Sequence, residues 1–254
     1  MWKNNCEEER LLGVSLTGIM DNELTNGKSG DVGKLLDELR EEAVKVNKEY
    51  ASKIGIPVAA AITCVKPSGT VSQLVDAASG IHARHNPFYI RTVRGDKKDP
   101  LTKMMVDAGF PVEDDVMNPN HTSVFSFPMK VDDKSVFRTD MSAIEQLELW
   151  LMYQKSWCQH KPSVTITVKE HEWLEVGAWV YEHFDYMSGV SFLPFSDHTY
   201  KQAPYQDCDE KMYKDILNKM PKVVDWSLLG EYEKSDMTIG SQELACTAAG
   251  GCEI

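Results

Sequence analysis

The chain has 254 residues, of which 42% are hydrophobic, so it is long enough to bury one large core or two small ones. Its 39 acidic and 27 basic residues give a net charge of -12, which argues against nonspecific binding to nucleic acid or to anionic membranes. No signal sequence or apolar run of the roughly 18 residues needed to span a bilayer is present. We therefore expect a cytoplasmic protein without a nucleic-acid or membrane partner.

The first predicted elements are a helix, a strand and a second helix. Apolar residues recur at helical spacing over residues 31–52, which predicts an amphipathic helix. The nearly continuous apolar run over 56–65 predicts a strand, the sequence Pro67-Ser68-Gly69-Thr70 predicts a tight loop, and residues 71–78 have helical character.

Strands and helices continue to alternate along the rest of the chain, which favours an α/β fold. The pattern predicts strands over 88–93, 123–131, 163–168 and 190–195, and helices over 100–108, 142–157, 172–184 and 209–220. Beyond residue 229 the sequence becomes polar. We expect one compact unit over 1–229 and a flexible tail over 230–254.

The tail ends with two cysteines, Cys246 and Cys252, separated by five small or polar residues. The Ala and Gly residues between them let the backbone fold back so that the two sulfurs can meet. Such a dithiol can carry reducing equivalents, but it can also form a structural bridge or half of a zinc site. No histidine lies nearby, and no metal site is predicted.

The other cysteines and two histidines are expected to have structural roles. Cys64 and Cys158 follow apolar segments, where cysteine behaves as a small hydrophobic residue. Cys6 and Cys208 lie in polar surroundings and are expected to be exposed thiols. Structural hydrogen bonds are the expected role of His82 and His85.

The loop after the first predicted strand is a candidate anion site. Its backbone N–H groups would lie at the start of a helix, and Gly69 would permit close approach of a ligand. Hydroxyl donors would come from Ser68, Thr70 and Ser72. An ordinary N-capped helix explains the same residues equally well.

Six segments and the terminal cysteine pair, in the same order, resemble adenosylcobalamin-dependent (class II) ribonucleotide reductases, especially the monomeric ribonucleoside-triphosphate type. The segments are RLLGVSLTGIMD (10–21), KPSGTVS (66–72), SGIHAR (79–84), WCQHKPSVTI (157–166), SGVSFLP (188–194) and HTYKQAPY (198–205). The family's catalytic domain is a ten-stranded α/β barrel, and this chain resembles its C-terminal half. The Asn-Pro-Cys context of the family's radical cysteine does not occur here.

The resemblance implies a role for each segment. It assigns the binding of substrate phosphates to Pro67, Ser68, Gly69, Thr70 and Val71, and it places His198, Tyr200 and Tyr205 near the adenosylcobalamin cofactor. Cys246 and Cys252 match the family's shuttle pair, which reduces the active-site disulfide and is reduced by thioredoxin or a similar dithiol protein. The implied substrate is a ribonucleoside triphosphate, which thiyl-radical chemistry converts to the 2′-deoxyribonucleotide.

Three hypotheses follow. In the first, the chain is the C-terminal part of a split reductase, and a separate N-terminal part carries the radical cysteine and completes the barrel. In the second, it is a noncatalytic remnant of the same family. The third, a free-standing dithiol oxidoreductase, is disfavoured because the cysteines lack the Cys-x-x-Cys setting that lowers a thiol pKa.

Overall fold

Helices and strands alternate along the chain in the computed structural model, which describes residues 2–28, 30–69, 71–132, 134–195 and 200–233. The helices are α1 (Trp2–Glu9), α2 (Val32–Ile54), α3 (Val71–Leu74), α4 (Pro100–Asp107), α5 (Ala143–Ser156), α6 (Trp173–Glu182), α7 (Glu210–Leu217) and α8 (Leu229–Tyr232). The strands are β1 (Val14–Ser15), β2 (Thr63–Cys64), β3 (Phe88–Asp96), β4 (Val112–Asp114), β5 (Thr122–Lys130), β6 (Ser163–Val168), β7 (Gly189–Pro194) and β8 (Tyr205–Asp207). Short 3-10 turns cover Ile19–Asp21, Glu170–Glu172, Phe184–Tyr186 and Trp226–Leu228.

The chain divides into two compact units, each built from two stretches of sequence. Unit 1 comprises residues 1–84 and 133–196, and unit 2 comprises residues 85–132 and 197–254. Unit 1 contains the parallel strand pairs, and unit 2 contains an antiparallel sheet.

Unit 1 has two parallel strand pairs, β1 with β2 and β6 with β7. The Ser163 amide donates to the Val65 carbonyl at 3.2 Å, so the start of β6 is hydrogen-bonded to the chain just after β2. Every second residue of β6 is buried, as expected of a strand with one face on a core. Helix α5 covers this core and begins with a capping box formed by Ser142 and Glu145.

The core of unit 1 is a single apolar cluster centred on α5. Leu147, Trp150 and Tyr153 of this helix are fully buried. The Trp150 indole donates to the Pro162 carbonyl at 3.2 Å, and the Trp157 indole donates to the Cys64 carbonyl at 2.8 Å. The tryptophans therefore pack in the core and satisfy their polar atoms there, as expected for buried indoles.

Unit 2 is built on a four-stranded antiparallel sheet with the order β4-β5-β3-β8. Strands β3 and β5 pair along their full length, from Phe88 opposite Lys130 to Asp96 opposite Thr122. An ion pair joins Arg94 to the buried Asp115 at 2.9 Å. The adjoining Gln202 is buried, with a left-handed backbone (φ 62°).

The predicted α/β class is confirmed, and most predicted elements match the structure within a few residues. Two predictions were too long. The strand over 56–65 is reduced to Thr63–Cys64, because the Ala59 amide bonds to the Asn47 side chain at 3.0 Å and the Ala60 amide to the Glu9 carbonyl at 2.8 Å. The helix over 71–78 ends at Leu74, and the antiparallel pairing of unit 2 was not foreseen.

The predicted half-barrel and the division at residue 229 stay predictions. Helix α8 includes residues on both sides of that boundary, and the rest of the predicted tail, 234–254, lies outside the described residues. No helix in the described ranges is long and apolar enough to cross a bilayer.

Candidate functional site

The candidate phosphate loop follows β2 in unit 1 and is held by hydroxyl groups from two neighbouring segments. The Ser68 amide donates to the Ser79 hydroxyl at 3.1 Å. The Ser68 hydroxyl lies 2.8 Å from that of Thr17, which also donates to the Ala78 carbonyl at 3.0 Å. At the start of the loop, the Lys66 amide donates to the Ser15 hydroxyl at 3.1 Å. These contacts hold Lys66 and Ser68 in place within unit 1.

Helix α3, which follows the loop, is too short to provide a strong dipole, since it has four residues. Its Ser72 is buried, and both the amide and the hydroxyl of Ser72 donate to the Ser68 carbonyl, at 3.0 and 2.8 Å. The expectation that Ser72 offers its hydroxyl to a ligand is therefore wrong. Val71 begins the helix and is exposed, and Thr70 lies outside the described residues.

Glycine is present at two positions of this site for different reasons. Gly80 has a left-handed backbone (φ 54°), and a Cβ there would lie 2.8 Å from the Lys66 carbonyl oxygen, so the fold itself requires glycine. Gly69 does not have a left-handed backbone, and a Cβ there would meet nothing within 4 Å. The space beside Gly69 is therefore open, as the predicted approach of a ligand requires.

An ion pair between the buried Arg84 and the half-buried Asp21 supports the segments around the loop. The Arg84 guanidinium binds Asp21 through two hydrogen bonds of 2.9 and 3.0 Å, and Asp21 also accepts from the Ala78 amide and the Ser135 hydroxyl. Burial raises the pKa of Asp21, but these hydrogen bonds and the Arg84 charge outweigh it and lower the pKa overall. The carboxylate therefore stays charged and connects distant parts of unit 1.

His82 has a structural role, as expected. Its Nε2 accepts a hydrogen bond from the Thr165 amide at 3.0 Å, so Nδ1 carries the proton and donates to the Ser79 carbonyl at 3.0 Å. Burial lowers the pKa of His82, although its bond to Ser79 acts in the opposite direction. The neutral imidazole therefore connects the segment that holds the loop to strand β6.

The two candidate tyrosines belong to unit 2. Tyr205, on β8, stacks on His85 with ring centroids 5.6 Å apart, and the Arg91 guanidinium lies 4.5 Å from the centre of the Tyr205 ring. His85 pairs with Asp207 at 2.6 Å, consistent with its expected structural role. Tyr200 is 64% exposed. His198 lies outside the described residues.

Four cysteines lie in the described residues. Cys64 is buried, and burial together with the nearby Cys64 thiol raises the pKa of Cys158 to about 12, so Cys158 is a poor nucleophile. Burial and two neighbouring aspartates raise the pKa of the half-buried Cys208, and Cys6 is exposed. The predicted shuttle pair, Cys246 and Cys252, lies outside the described residues.

The structure thus brings Pro67, Ser68, Gly69 and Val71 together in one loop of unit 1 and places Tyr200 and Tyr205 in unit 2. Sequence reasoning missed Thr17 and Ser79, which hold the loop. Both occur in the recognised segments 10–21 and 79–84, and a hydroxyl residue beside a glycine in each was the available signal. No group of three or more metal-ligating side chains is found in the part of the chain that the structure describes.

Comparison of the sequence with known proteins gives no family model but several reductases. No protein-family model matches the chain. The adenosylcobalamin-dependent ribonucleoside-triphosphate reductase of Euglena gracilis is 28% identical over 89% of the chain, and a probable reductase of the same kind from Dictyostelium discoideum is 34% identical over 87%. The Levilactobacillus brevis reductase is 25% identical over 98% of the chain.

The same relationship appears in three dimensions. A crystal structure of a B12-dependent (class II) ribonucleotide reductase superimposes with a TM-score of 0.76 over 92% of this chain, at 23% identity, which shows a shared fold. The chain covers 36% of that structure and 32% and 29% of the Euglena and Dictyostelium proteins. Over most of its length, the chain is therefore homologous to adenosylcobalamin-dependent ribonucleoside-triphosphate reductases, and it spans about one third of their length.

Proposed function

We propose that the chain is the C-terminal part of an adenosylcobalamin-dependent ribonucleotide reductase that converts ribonucleoside triphosphates to 2′-deoxyribonucleotides. The observation that carries this proposal is the match to reductases of this kind over most of the chain, at 34% identity for the Dictyostelium protein. The chain would supply the phosphate loop and the dithiol tail. The radical cysteine would belong to a separate N-terminal part.

The loop at residues 67–71 is the proposed site for the substrate phosphates. Support comes from the contacts of Ser68 with Thr17 and Ser79 and from the open space beside Gly69. A preformed loop loses little conformational freedom when a ligand binds. The backbone amides of Gly69 and Val71 would be the donors. The Ser68 hydroxyl already donates to Thr17, because the Thr17 proton goes to the Ala78 carbonyl, so Ser68 would exchange this bond to reach the phosphate. Ser72 is engaged with the Ser68 carbonyl.

Adenosylcobalamin, the proposed cofactor, would supply the radical chemistry when bound. Tyr200 fits a contact with a large ring system because most of its side chain is exposed. Tyr205 fits such a contact less well, since its ring already packs against His85, Tyr89 and Arg91. Of the two, we therefore retain Tyr200 as the cofactor contact, and His198 stays a prediction.

Cys246 and Cys252 are the proposed shuttle pair, and thioredoxin or a similar cytoplasmic dithiol protein is the proposed reductant. The cysteines in the described residues support this assignment indirectly. Burial of Cys64 and the raised pKa of Cys158 make both poor exchangers of disulfides. The pKa of Cys208 is also raised, which leaves Cys6 as the one exposed thiol among the described residues and favours the tail pair as the relay.

An N-terminal partner is supported by the strand edges of unit 1. Within the described residues, β1 pairs only with β2 and β7 only with β6. Val14 and Leu193, on these outer strands, are exposed. Open edges with exposed apolar side chains favour pairing with further strands. A C-terminal half-barrel completed by an N-terminal part would cover them.

The central experiment measures ribonucleoside triphosphate reduction by the purified chain with adenosylcobalamin and thioredoxin, alone and with the N-terminal part. We expect activity in the mixture only, and its loss on Cys246→Ser. Activity of the chain alone would contradict the split arrangement. Inactivity in both assays would favour the noncatalytic remnant.

A second experiment tests the loop through Gly69→Ala. Because a Cβ at Gly69 would meet nothing within 4 Å among the described residues beyond its chain neighbours, the variant should be as stable as the parent. It should nevertheless bind the substrate triphosphate at least about tenfold more weakly in the assembled mixture, since the methyl group occupies the space proposed for phosphate. Unchanged affinity would argue against the loop as the phosphate site.

A further inference from the structure

Helix α6 of unit 1 has one face in the core and an opposite face in solvent. Val176 and Trp179 are buried against the apolar cluster. The Trp179 indole donates to Glu148 Oε1 at 2.6 Å, and its ring stacks on His183 with centroids 4.1 Å apart. These contacts fix the rotation of the helix, so the residues on its other face are held toward solvent.

The solvent face of α6 is apolar, which is unusual for a helix with one face already buried. Leu174 is 90% exposed, and Tyr181, seven residues later, is 86% exposed. Phe184, in the 3-10 turn after the helix, is 71% exposed. Ala178 and Gly177 lie between the first two, and a Cβ at Gly177 would meet nothing within 4 Å. Large side chains therefore flank a flat centre that another helix could approach closely.

The rim of this face is acidic. The sequence from 170 to 187 contains no Lys or Arg, whereas Glu170, Glu175, Glu182 and Asp185 are exposed. Lys169 directly precedes this segment, and the Lys155 ammonium lies 4.2 Å from the centre of the Tyr186 ring at the other end. An apolar patch with an acidic rim favours a partner whose own apolar patch is bordered by basic residues.

We propose that the solvent face of α6 is a docking site for an amphipathic helix with a basic border, located in the part of the reductase that this chain lacks. This inference rests on the proposed function, in which a separate part completes the enzyme. The chain covers 29–37% of three reductases it matches, so about two thirds of such an enzyme is available to supply the helix. Helix-in-groove docking uses anchors at the spacing of Leu174, Ala178 and Tyr181.

A second copy of this chain is a poorer occupant. Two α6 faces would bring their acidic rims together, and like charges across an interface disfavour association. The net charge of -12 acts in the same direction. An anionic membrane is disfavoured for the same reason.

The test measures binding of the N-terminal part to the chain and to Leu174→Glu by isothermal titration calorimetry. We expect at least about tenfold weaker binding by the variant, because a carboxylate would replace one of the two large apolar anchors of the contact. The matched control is Met117→Glu in unit 2, where the methionine is also 90% exposed. This control should bind as the parent does, and thermal melts should show both variants folded.

Added salt provides a second readout. Binding of the parent should weaken between 50 mM and 500 mM NaCl because salt screens the acidic rim from its basic partner. A double variant, Glu175→Lys with Glu182→Lys, should also bind more weakly and should lose most of this salt dependence. A merely structural role for α6 would produce neither effect.

The other outcomes overturn the proposal. Equal binding by Leu174→Glu and the parent excludes this face as the docking site, and failure of the parent to bind excludes the partner. A parent chain that is dimeric by light scattering and becomes monomeric on Leu174→Glu identifies a second copy as the occupant. The reductase assay is interpreted separately. If the mixture is active but Leu174→Glu binds as the parent does, only the docking site is refuted. If the parent binds tightly and Leu174→Glu does not, but the mixture is inactive, only the proposed function is refuted.

Discussion

Unit 1 is held together by one large apolar cluster, whereas polar side chains form a much larger proportion of the residues that unit 2 buries. In unit 1 the cluster includes residues from Ile19 to Trp179 along the chain, among them three tryptophans, Trp150, Trp157 and Trp179. In unit 2 the buried set includes Thr92, Asp115 and Gln202. The first unit therefore depends mainly on packing, and the second depends more on satisfied hydrogen bonds.

This difference teaches where each unit is vulnerable. A packed apolar core loses stability in proportion to the volume removed. A buried polar network loses stability when one member leaves its partners without hydrogen bonds. Substitutions that remove side-chain volume should therefore lower stability most in unit 1. Substitutions that remove a single hydrogen-bond donor or acceptor should lower it most in unit 2.

The largest effect is expected for Trp150→Ala in unit 1. The side chain is fully buried and also donates to the Pro162 carbonyl. Its removal should lower the free energy of unfolding by about 3–5 kcal/mol, as measured by urea denaturation. The same change at the exposed Trp2 should alter stability by less than about 0.5 kcal/mol. Similar losses at both positions would refute the apolar core of unit 1.

The next effect is expected for Gln202→Ala in unit 2. The Gln202 amide donates to Glu113 and to the Asp114 carbonyl and accepts from the Val116 amide, each at 2.8 Å. Loss of these three bonds from the buried Gln202 side chain should cost roughly 1–3 kcal/mol, because each bond contributes on the order of 1 kcal/mol. Gln206→Ala, which removes one longer bond of 3.4 Å, is the control. If Gln202→Ala is as stable as this control, the polar network does not hold unit 2.

A smaller effect is expected for Gly80→Ala beside the phosphate loop. The left-handed backbone and the contact with the Lys66 carbonyl should together cost about 1–2 kcal/mol, measured by thermal unfolding. Gly69→Ala is the matched control and should not change stability. Equal stability of the two variants would show that Gly80 does not constrain the loop.

The smallest effect on stability is expected from protonation of His82. Its pKa is lowered in the folded chain, so the unfolded chain binds the proton first as pH falls through the ordinary histidine range near 6.5. Stability should be fully present above that range and should decline below it, by at most about 1.4 kcal/mol per pH unit. His82→Gln should show a shallower decline between pH 7.5 and 5.5 in urea titrations. An identical slope would mean that His82 is not held neutral.

The sequence was informative wherever a side-chain pattern alone decides the element. The alternating residues of β6 and the capping box of α5 depend on their own segments, and both elements were predicted within a residue or two. Residues 56–62 were misassigned because the side chain of Asn47 and the carbonyl of Glu9 take their amides. Such distant partners cannot be found by local periodicity. The same holds for the antiparallel partners of β3.

At the candidate site, too, local motifs were predicted and contacts distant in sequence were missed. The loop itself was found from Pro67, Ser68 and Gly69, but the residues that fix it, Thr17 and Ser79, are distant in sequence from Ser68, by 51 and 11 positions. Ser72 was misjudged because its bond to the Ser68 carbonyl depends on the short turn of α3. Motifs therefore located the site, and tertiary contacts decided which groups remain available.

The two-part construction of unit 1 has a consequence for synthesis on the ribosome. Strands β3, β4 and β5 lie between the two stretches of unit 1, so they leave the ribosome before α5 does. Translation adds about 5–20 residues per second, whereas a hairpin pairs within about 10 microseconds. The β3–β5 sheet should therefore form seconds before the Trp150 core can close. Until β8 emerges, β3 presents an open edge, and this nascent stage is when the chain is most prone to aggregate.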